Sequence, residues 1–193
     1  VLKELPVPVV IVGQYLSGYC CVFHDDYHVS YNLTKLFLEK GRRKLGYLSA
    51  IHKDKAVGAE RYKGFCDAVR DSGLAELREN TVTAAFIVVS GCEKTGELLE
   101  KYDGLDGIIC ATDTMVTGAM QYLKEYHIDV PGTILVAGQG DSDVVRVVAP
   151  PIITVHYSYE KSGVLAVQML LELLQYEESI TKEIKLGYHI VEL

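Results

Sequence analysis

Several things are missing from this chain, and each absence removes a class of protein. Nowhere in its 193 residues do apolar side chains run unbroken for the roughly 18 positions a membrane-spanning helix needs. There is no excess of basic residues. The formal net charge is -7, and a surface that clamps nucleic acid through its phosphates must be basic. No two of the five cysteines, Cys20, Cys21, Cys66, Cys92 and Cys110, form a CxxC pair. They are expected to be small buried hydrophobes of a reducing cytoplasm rather than zinc ligands or disulfide partners. Gly91-Cys92-Glu93-Lys94-Thr95-Gly96 does not have the order of a phosphate-binding loop. Gly138-Gln139-Gly140 lacks the third glycine of a dinucleotide fingerprint. No GxSxG elbow occurs, and His52, His127 and His156 have no metal-ligand spacing. Asp141 and Asp143 are too few carboxylates for a calcium loop. No cofactor and no metal are therefore expected.

What is present is an apolar content of 49%, ample for a core. Short apolar runs alternate with segments of helical spacing. Strands are expected at Val7–Gly13, Cys20–His24, Leu45–Ala50, Thr83–Val89, Asp106–Ala111, Ile134–Ala137 and Ile152–Val155, with a last one over Glu183–Val191. Helices are expected over Asp26 to about Lys40, Val57 to about Ser72, Glu93–Tyr102, Thr114–Tyr126 and Glu160–Gln175. Thr112 or Asp113 caps the fourth, with Asp113 the simplest cap. Alternating strands and helices imply an α/β fold with a parallel sheet, helices on both faces and right-handed crossovers. Two pieces do not fit the repeat. Val7–Gly13 precedes it and reads as a strand covered on both sides. Glu160–Gln175 is apolar almost all round, which calls for burial on more than one side.

In such a sheet, ligands bind beyond the carboxyl ends of the strands. The residues that follow the strands are His52, Lys53, Asp54, Lys55 and Arg61; Ser90 and Gly91; Thr112 and Asp113; Gln139, Gly140 and Asp141; and His156, Tyr157 and Tyr159. One arginine, hydroxyls, amides, carboxylates and aromatic rings suit a carbohydrate. Polar groups pair with sugar hydroxyls and rings pack on the apolar sugar face.

Four segments, in this order, resemble the effector-binding region of the lactose-repressor (LacI/GalR) family of sugar-responsive transcriptional regulators. They are Ala59-Glu60-Arg61-Tyr62-Lys63-Gly64-Phe65, Cys110-Ala111-Thr112-Asp113 with Gly118, Gly138-Gln139-Gly140-Asp141, and Thr154-Val155-His156-Tyr157-Ser158-Tyr159. The likeness extends from about Pro6 to the C-terminus. It implies a type I periplasmic-binding-protein fold, with a small carbohydrate or sugar phosphate held between two lobes. By the likeness Arg61 grips the effector. Ser90, Thr112, Gln139, Asp141, Tyr157 and Tyr159 complete the expected ligand-binding set, and no residue is expected to be catalytic. The chain departs from the pattern at three places. Thr112 stands where the family commonly has Asn, Gly140 where it has a sugar-binding Asp, and Tyr157 where it has Gln. Lys53, Lys55 and Arg61 are candidate phosphate holders.

The resemblance further implies that residues 1–20 and 158–177 are remnants of the first lobe, and that 21–157 and 178–193 form the second, effector-binding lobe. The chain begins at Val1, not Met, and without a signal-like segment. It reads as a piece of a longer cytoplasmic repressor, a homodimer that meets operator DNA only through an N-terminal helix-turn-helix outside this sequence. Exposed apolar patches, or self-association that hides them, are expected around Val7–Gly13 and Glu160–Gln175. Two alternatives remain open: a periplasmic-type sugar-binding transport protein of the same fold, and a small α/β enzyme.

Overall fold

The structure is a computed structural model that describes residues 2, 5–148, 151–175 and 180–193. The expected loop end at Pro150 and the expected lobe boundary at 177 lie outside the described residues. The chain divides into two compact units: Val1–Asp25 with Tyr157–Tyr188, and Asp26–His156 with His189–Leu193.

The larger unit is organised by strands β3 (Leu45–Ser49), β4 (Thr81–Thr83), β5 (Gly107–Cys110), β6 (Leu135–Ala137), β7 (Ile153–Tyr157) and β9 (Tyr188–Glu192). Their order across the sheet is β4-β3-β5-β6-β7-β9. The pairs β3/β4, β3/β5, β5/β6 and β6/β7 are parallel. Residues of β3, β5 and β6 are buried at every position, as continuous apolar runs in a covered parallel sheet should be. The helices are α1 (Asp26–Glu39), α2 (Arg61–Asp71), α3 (Val88–Lys101) and α4 (Asp113–Glu125). The chain moves from β3 outward to β4, then back across β3 to β5 and on to β6. Right-handed crossovers in opposite directions put their helices on opposite faces. Accordingly α1 packs on α2, and α3 packs on α4.

Both helix pairs approach closely because glycine stands at the contact. A Cβ on Gly64 would fall 2.2 Å from the Tyr27 carbonyl oxygen, and one on Gly118 would fall 2.2 Å from that of Val88. Between these layers Phe37, Tyr47, Phe65, Leu98, Ile108, Met115 and Leu123 are fully buried.

In the smaller unit, β1 (Val10–Val12), β2 (Cys20–His24) and β8 (Glu183–Leu186) form a three-stranded sheet in the order β1-β2-β8, with both pairs parallel. Helix α6 (Tyr159–Gln175) packs on it. Cys20, Val22, Ala166 and Met169 make the core, flanked by Val10, Leu165, Leu173, Ile184 and Leu186.

The structure corrects several expectations. The strand expected over Val7–Gly13 is only Val10–Val12, lies at a sheet edge, and leaves Val7 and Val12 exposed. Pro6 and Pro8 have no N–H to give a ladder, which confines regular pairing to the residues after them. The strand expected over Thr83–Val89 ends at Thr83. The Ala84 N–H makes one more bond to Ser49, the Ala85 N–H turns to the Ser90 hydroxyl, and α3 has begun by Val88. A short apolar run does not by itself distinguish strand from helix. The helix expected from Val57 starts as a π-helical turn at Lys55–Glu60, capped by the Asp54 carboxylate on the Val57 N–H at 2.8 Å, and becomes α-helical at Arg61. The single strand expected over Glu183–Val191 is β8 and β9, broken at Gly187 and shared between the two sheets. The loop after β6 also holds a short helix, α5 (Asp143–Val148), that the periodicity did not suggest.

The all-round apolar helix is α6, and it is not buried all round. Ser162, Ala166 and Met169 face the small core, while Val164, Val167, Leu171 and Leu174 are each more than half exposed. The exposed apolar patches expected around β1 and this helix are therefore present on this chain.

The glycine contacts lead to a stability prediction. Gly118→Ala should lower the unfolding free energy by about 1–3 kcal/mol, because the new methyl meets backbone rather than a yielding side chain. Urea unfolding of the two proteins measures this; an unchanged midpoint would show that the α3/α4 contact is looser than described.

Candidate functional site

The sheet order dictates where a site can form. The crossovers reverse direction between β3 and β5, so their helices diverge there and leave a crevice at the carboxyl ends of those two strands. The side chain that reaches this point is Arg61, the first residue of α2. It is only 7% exposed. Its Nε donates to Asp26 Oδ1 at 2.6 Å, and its Nη1 donates to the carbonyl of Ala111, just past β5, at 2.5 Å. Asp26 is itself buried, at the start of α1. An arginine held by acceptors from two elements loses little further freedom when it binds a ligand.

Next to Ala111 stands Thr112. Its hydroxyl accepts the Met115 N–H at 3.4 Å, so Thr112, not Asp113, caps α4. Asp113 has another task. The Asp113 N–H donates to the Gln139 carbonyl at 3.1 Å. Its buried carboxylate accepts the Ser142 N–H at 2.8 Å and the Thr154 hydroxyl at 2.8 Å. The Thr154 oxygen in turn accepts the Asp141 N–H at 3.1 Å. One carboxylate thus ties the loop after β6 to both α4 and β7. The loop also extends the β7 ladder, Gly138 donating to Ile153 and Gly140 to Val155, each at 2.9 Å. Burial pushes the Asp113 carboxyl above its ordinary value, against the pull of the bonds from Ser142 and Thr154.

Gln139 is buried in this loop. Gly140 has φ 145°, and a Cβ there would lie 3.2 Å from Asp113 Oδ2. Asp141 is in the left-handed region at φ 51°. Its side chain is turned to its own loop and to β7: Arg146 Nη2 lies 2.7 Å from Oδ2 and 2.6 Å from Oδ1, and His156 Nδ1 lies 2.8 Å from Oδ2. Burial alone would raise the Asp141 carboxyl. The bonds from Arg146 and then His156, with their charges, outweigh it and hold the group below its ordinary value.

Arg61, Thr112, Gln139 and Asp141 are thus brought to neighbouring strand ends of one sheet. Ser90 is placed otherwise. It lies in the first turn of α3, not after a strand, and its hydroxyl is occupied by the Ala85 N–H at 3.0 Å. Tyr157 and Tyr159 belong to the smaller unit. There they cluster with His24, whose ring centroid is 4.9 Å from Tyr157 and 5.4 Å from Tyr159. Tyr157 is buried and Tyr159 exposed. Lys53 and Lys55 are exposed, and His52 stacks on Tyr62 at 4.6 Å. In the sequence Asp26 marks only the start of a helix, Thr154 lies inside a strand, and His156 stands out only by its place after one; the Thr154 and His156 contacts reach 41 and 15 residues back along the chain. Among the described residues no group of three or more His, Cys, Asp or Glu is placed to hold a metal ion, and no helix is long and apolar enough to cross a membrane.

A parallel sheet with a buried arginine at its switch point, and hydroxyl, amide and carboxylate groups at the neighbouring strand ends, is an α/β arrangement of the kind that suits a small molecule. Comparison with known proteins narrows the class. The family of periplasmic binding protein-like domains matches residues 34–192, and the chain belongs to that family. Its relatives are regulators of the LacI/GalR type. The transcriptional regulator GalR of Escherichia coli is 31% identical over 175 residues, covering 89% of this chain and 50% of that protein. The repressor PurR of Actinobacillus pleuropneumoniae is 27% identical over 168 residues, with 87% and 50% covered. Among solved structures, a complex of the transcriptional regulator CelR with cellobiose superposes with a TM-score of 0.90 at 26% identity, covering 98% of this chain and 59% of that one. The chain spans about half the length of the curated relatives it matches.

Two predictions follow from the loop. A carboxyl that is lower in the folded than in the unfolded chain adds stability above the unfolded value of about 3.9 and loses it as pH falls through the lower folded value. Asp141→Asn should therefore be less stable than the parent at neutral pH, and the gap should close as pH falls through about 4 and below. Asp113, raised by burial, works oppositely: its contribution is full below that value and fades as pH rises through the folded one. Denaturant midpoints across this range test the pair, and a gap that widens in acid would contradict the Asp141 assignment. Second, Gly140→Asp, which restores the family's usual residue, should cost about 1–3 kcal/mol through backbone strain and a second carboxylate beside Asp113. If the variant matches the parent in thermal unfolding, the loop geometry is wrong.

Proposed function

We propose that this chain is the effector-binding region of a sugar-responsive transcriptional repressor. In this reading a small carbohydrate binds over the strand ends held by Arg61, and its binding shifts the DNA affinity of a helix-turn-helix head carried elsewhere in the intact protein. The observation that carries it is the buried, doubly anchored Arg61 at the switch point of the larger sheet. The likeness to GalR and to the cellobiose-bound CelR supports it. Arg61, Thr112 and Gln139 are the ligand-facing groups in this reading. Asp141 orders the loop, in keeping with its bonds to Arg146 and His156. Ser90 serves the turn before α3, and Tyr157 and Tyr159 supply aromatic surface in the smaller unit. We read that unit as the portion of the first lobe this chain contains. A ligand can move such a switch only by its different affinity for the two states.

Binding rather than catalysis is the reading that the relatives support, since they are transcriptional regulators. The relatives are regulators rather than transport proteins, which favours a cytoplasmic site of action. A homodimer fits the exposed Val144 and Val147 of α5, beside α4.

Calorimetry of the intact protein against a panel of mono- and disaccharides tests the reading. Arg61→Ala should weaken the best ligand by about a hundredfold, the loss of charge-assisted bonds from a pre-organised group. Unchanged affinity would move the site away from the switch point.

A further inference from the structure

The loop after β6 carries a strained residue that its neighbours hold in place. Asp141 has φ 51°, in the left-handed region, which a residue with a side chain adopts at a cost. Such a conformation persists where the surroundings over-determine it. Two bonds hold the backbone of this turn. The Asp141 N–H donates to the Thr154 hydroxyl at 3.1 Å, and the Ser142 N–H donates to Asp113 Oδ2 at 2.8 Å. The Asp141 side chain is held separately. It is 5% exposed and lies between two side chains that are each about half exposed. Arg146 Nη2 is 2.6 Å from Oδ1 and 2.7 Å from Oδ2, and His156 Nδ1 is 2.8 Å from Oδ2. An ionised carboxylate can only accept, so Nδ1 carries the proton in this pair.

The two side chains reach the carboxylate from different elements. Arg146 belongs to α5, six residues long and too short to be a stable helix by itself. His156 belongs to β7. Both meet the loop two residues beyond Gln139. We infer that Arg146 and His156 are positioning residues of the binding site. By gripping the Asp141 carboxylate from α5 and β7 they hold residue 141 in its left-handed conformation, and with it the loop that carries Gln139. This inference rests on the reading of Arg61 and Gln139 as ligand-facing groups.

Glycine supplies the test, because it adopts positive φ without strain. Asp141→Ala removes the grip and keeps the strain, whereas Asp141→Gly removes both. In the intact protein without ligand, the amides of residues 139–142 should be protected from hydrogen exchange at least about fivefold less in Asp141→Ala than in Asp141→Gly. Arg146→Gln combined with His156→Gln should lower the same protection about fivefold below the parent. Arg146→Lys, which keeps the charge, should lie closer to the parent. The parent alone gives a further measurement. Half-exposed ion pairs are screened, so the protection should fall as sodium chloride rises from about 0.05 to 1 M. Calorimetry with galactose and cellobiose should rank the variants in the same order. The exchange measurements need no ligand and decide the matter even where neither sugar binds.

Equal protection in Asp141→Ala and Asp141→Gly, parent-like protection in the double glutamine variant, or protection that ignores salt would each overturn the inference and leave the reading of the site intact. So would parent-like sugar affinity in Asp141→Ala when Arg61→Ala weakens binding. Sugar affinity that Arg61→Ala leaves unchanged would instead overturn the reading itself, and the role given to this loop with it.

Discussion

The bond pair that holds Arg61, to the Asp26 carboxylate on one side and the Ala111 carbonyl on the other, is the constraint on which the site depends. It joins the start of α1, the start of α2 and the end of β5, the elements that border the crevice. A lone buried guanidinium would be expensive; a buried pair is tolerated when its remaining valences are met by the fold. The price is stability that a well-packed apolar pair would not forgo. What is gained is a cation fixed in place and matched in charge where the sheet topology opens.

The second support is Asp113. A single carboxylate accepts from the loop after β6 and from β7, and its own N–H bonds back to Gln139. Loops at strand ends usually move; this one is tied at Ser142 and, through Thr154, at Asp141. Gly140 is then required by geometry. Its backbone angle disfavours any other residue, and its missing Cβ leaves room for the Asp113 carboxylate. The departure from the family's usual aspartate is thus matched by the local backbone, and the acid it forgoes would have added to an already negative strand end.

Much of this was legible in the amino-acid order. The alternation of apolar runs with helical spacing yields the parallel α/β sheet, and Cys20–His24 and Asp26–Glu39 fall where their patterns place them. Arg61 could be singled out because it follows a strand end and lies in the segment Ala59–Phe65 that resembles the family's. The strand over Thr83–Val89 failed because alanines and β-branched residues satisfy a strand pattern and an exposed helix start alike. The Asp26–Arg61 pair spans 35 residues and the Asp113–Thr154 bond spans 41. No local pattern reports such contacts; they exist only once the sheet order is known. Likewise, the all-round apolar pattern of α6 states that a surface wants covering, and only the structure shows which side of it remains bare.

The central claim is that the ligand is gripped by Arg61, anchored by Asp26 and Ala111 at the β3/β5 switch point. A crystal structure of the intact protein with its tightest-binding neutral sugar tests it most directly. The account predicts a sugar hydroxyl within hydrogen-bond distance of the Arg61 guanidinium while Arg61 Nε still holds Asp26. A sugar bound elsewhere, or an Arg61 that abandons Asp26 to reach it, would contradict the account.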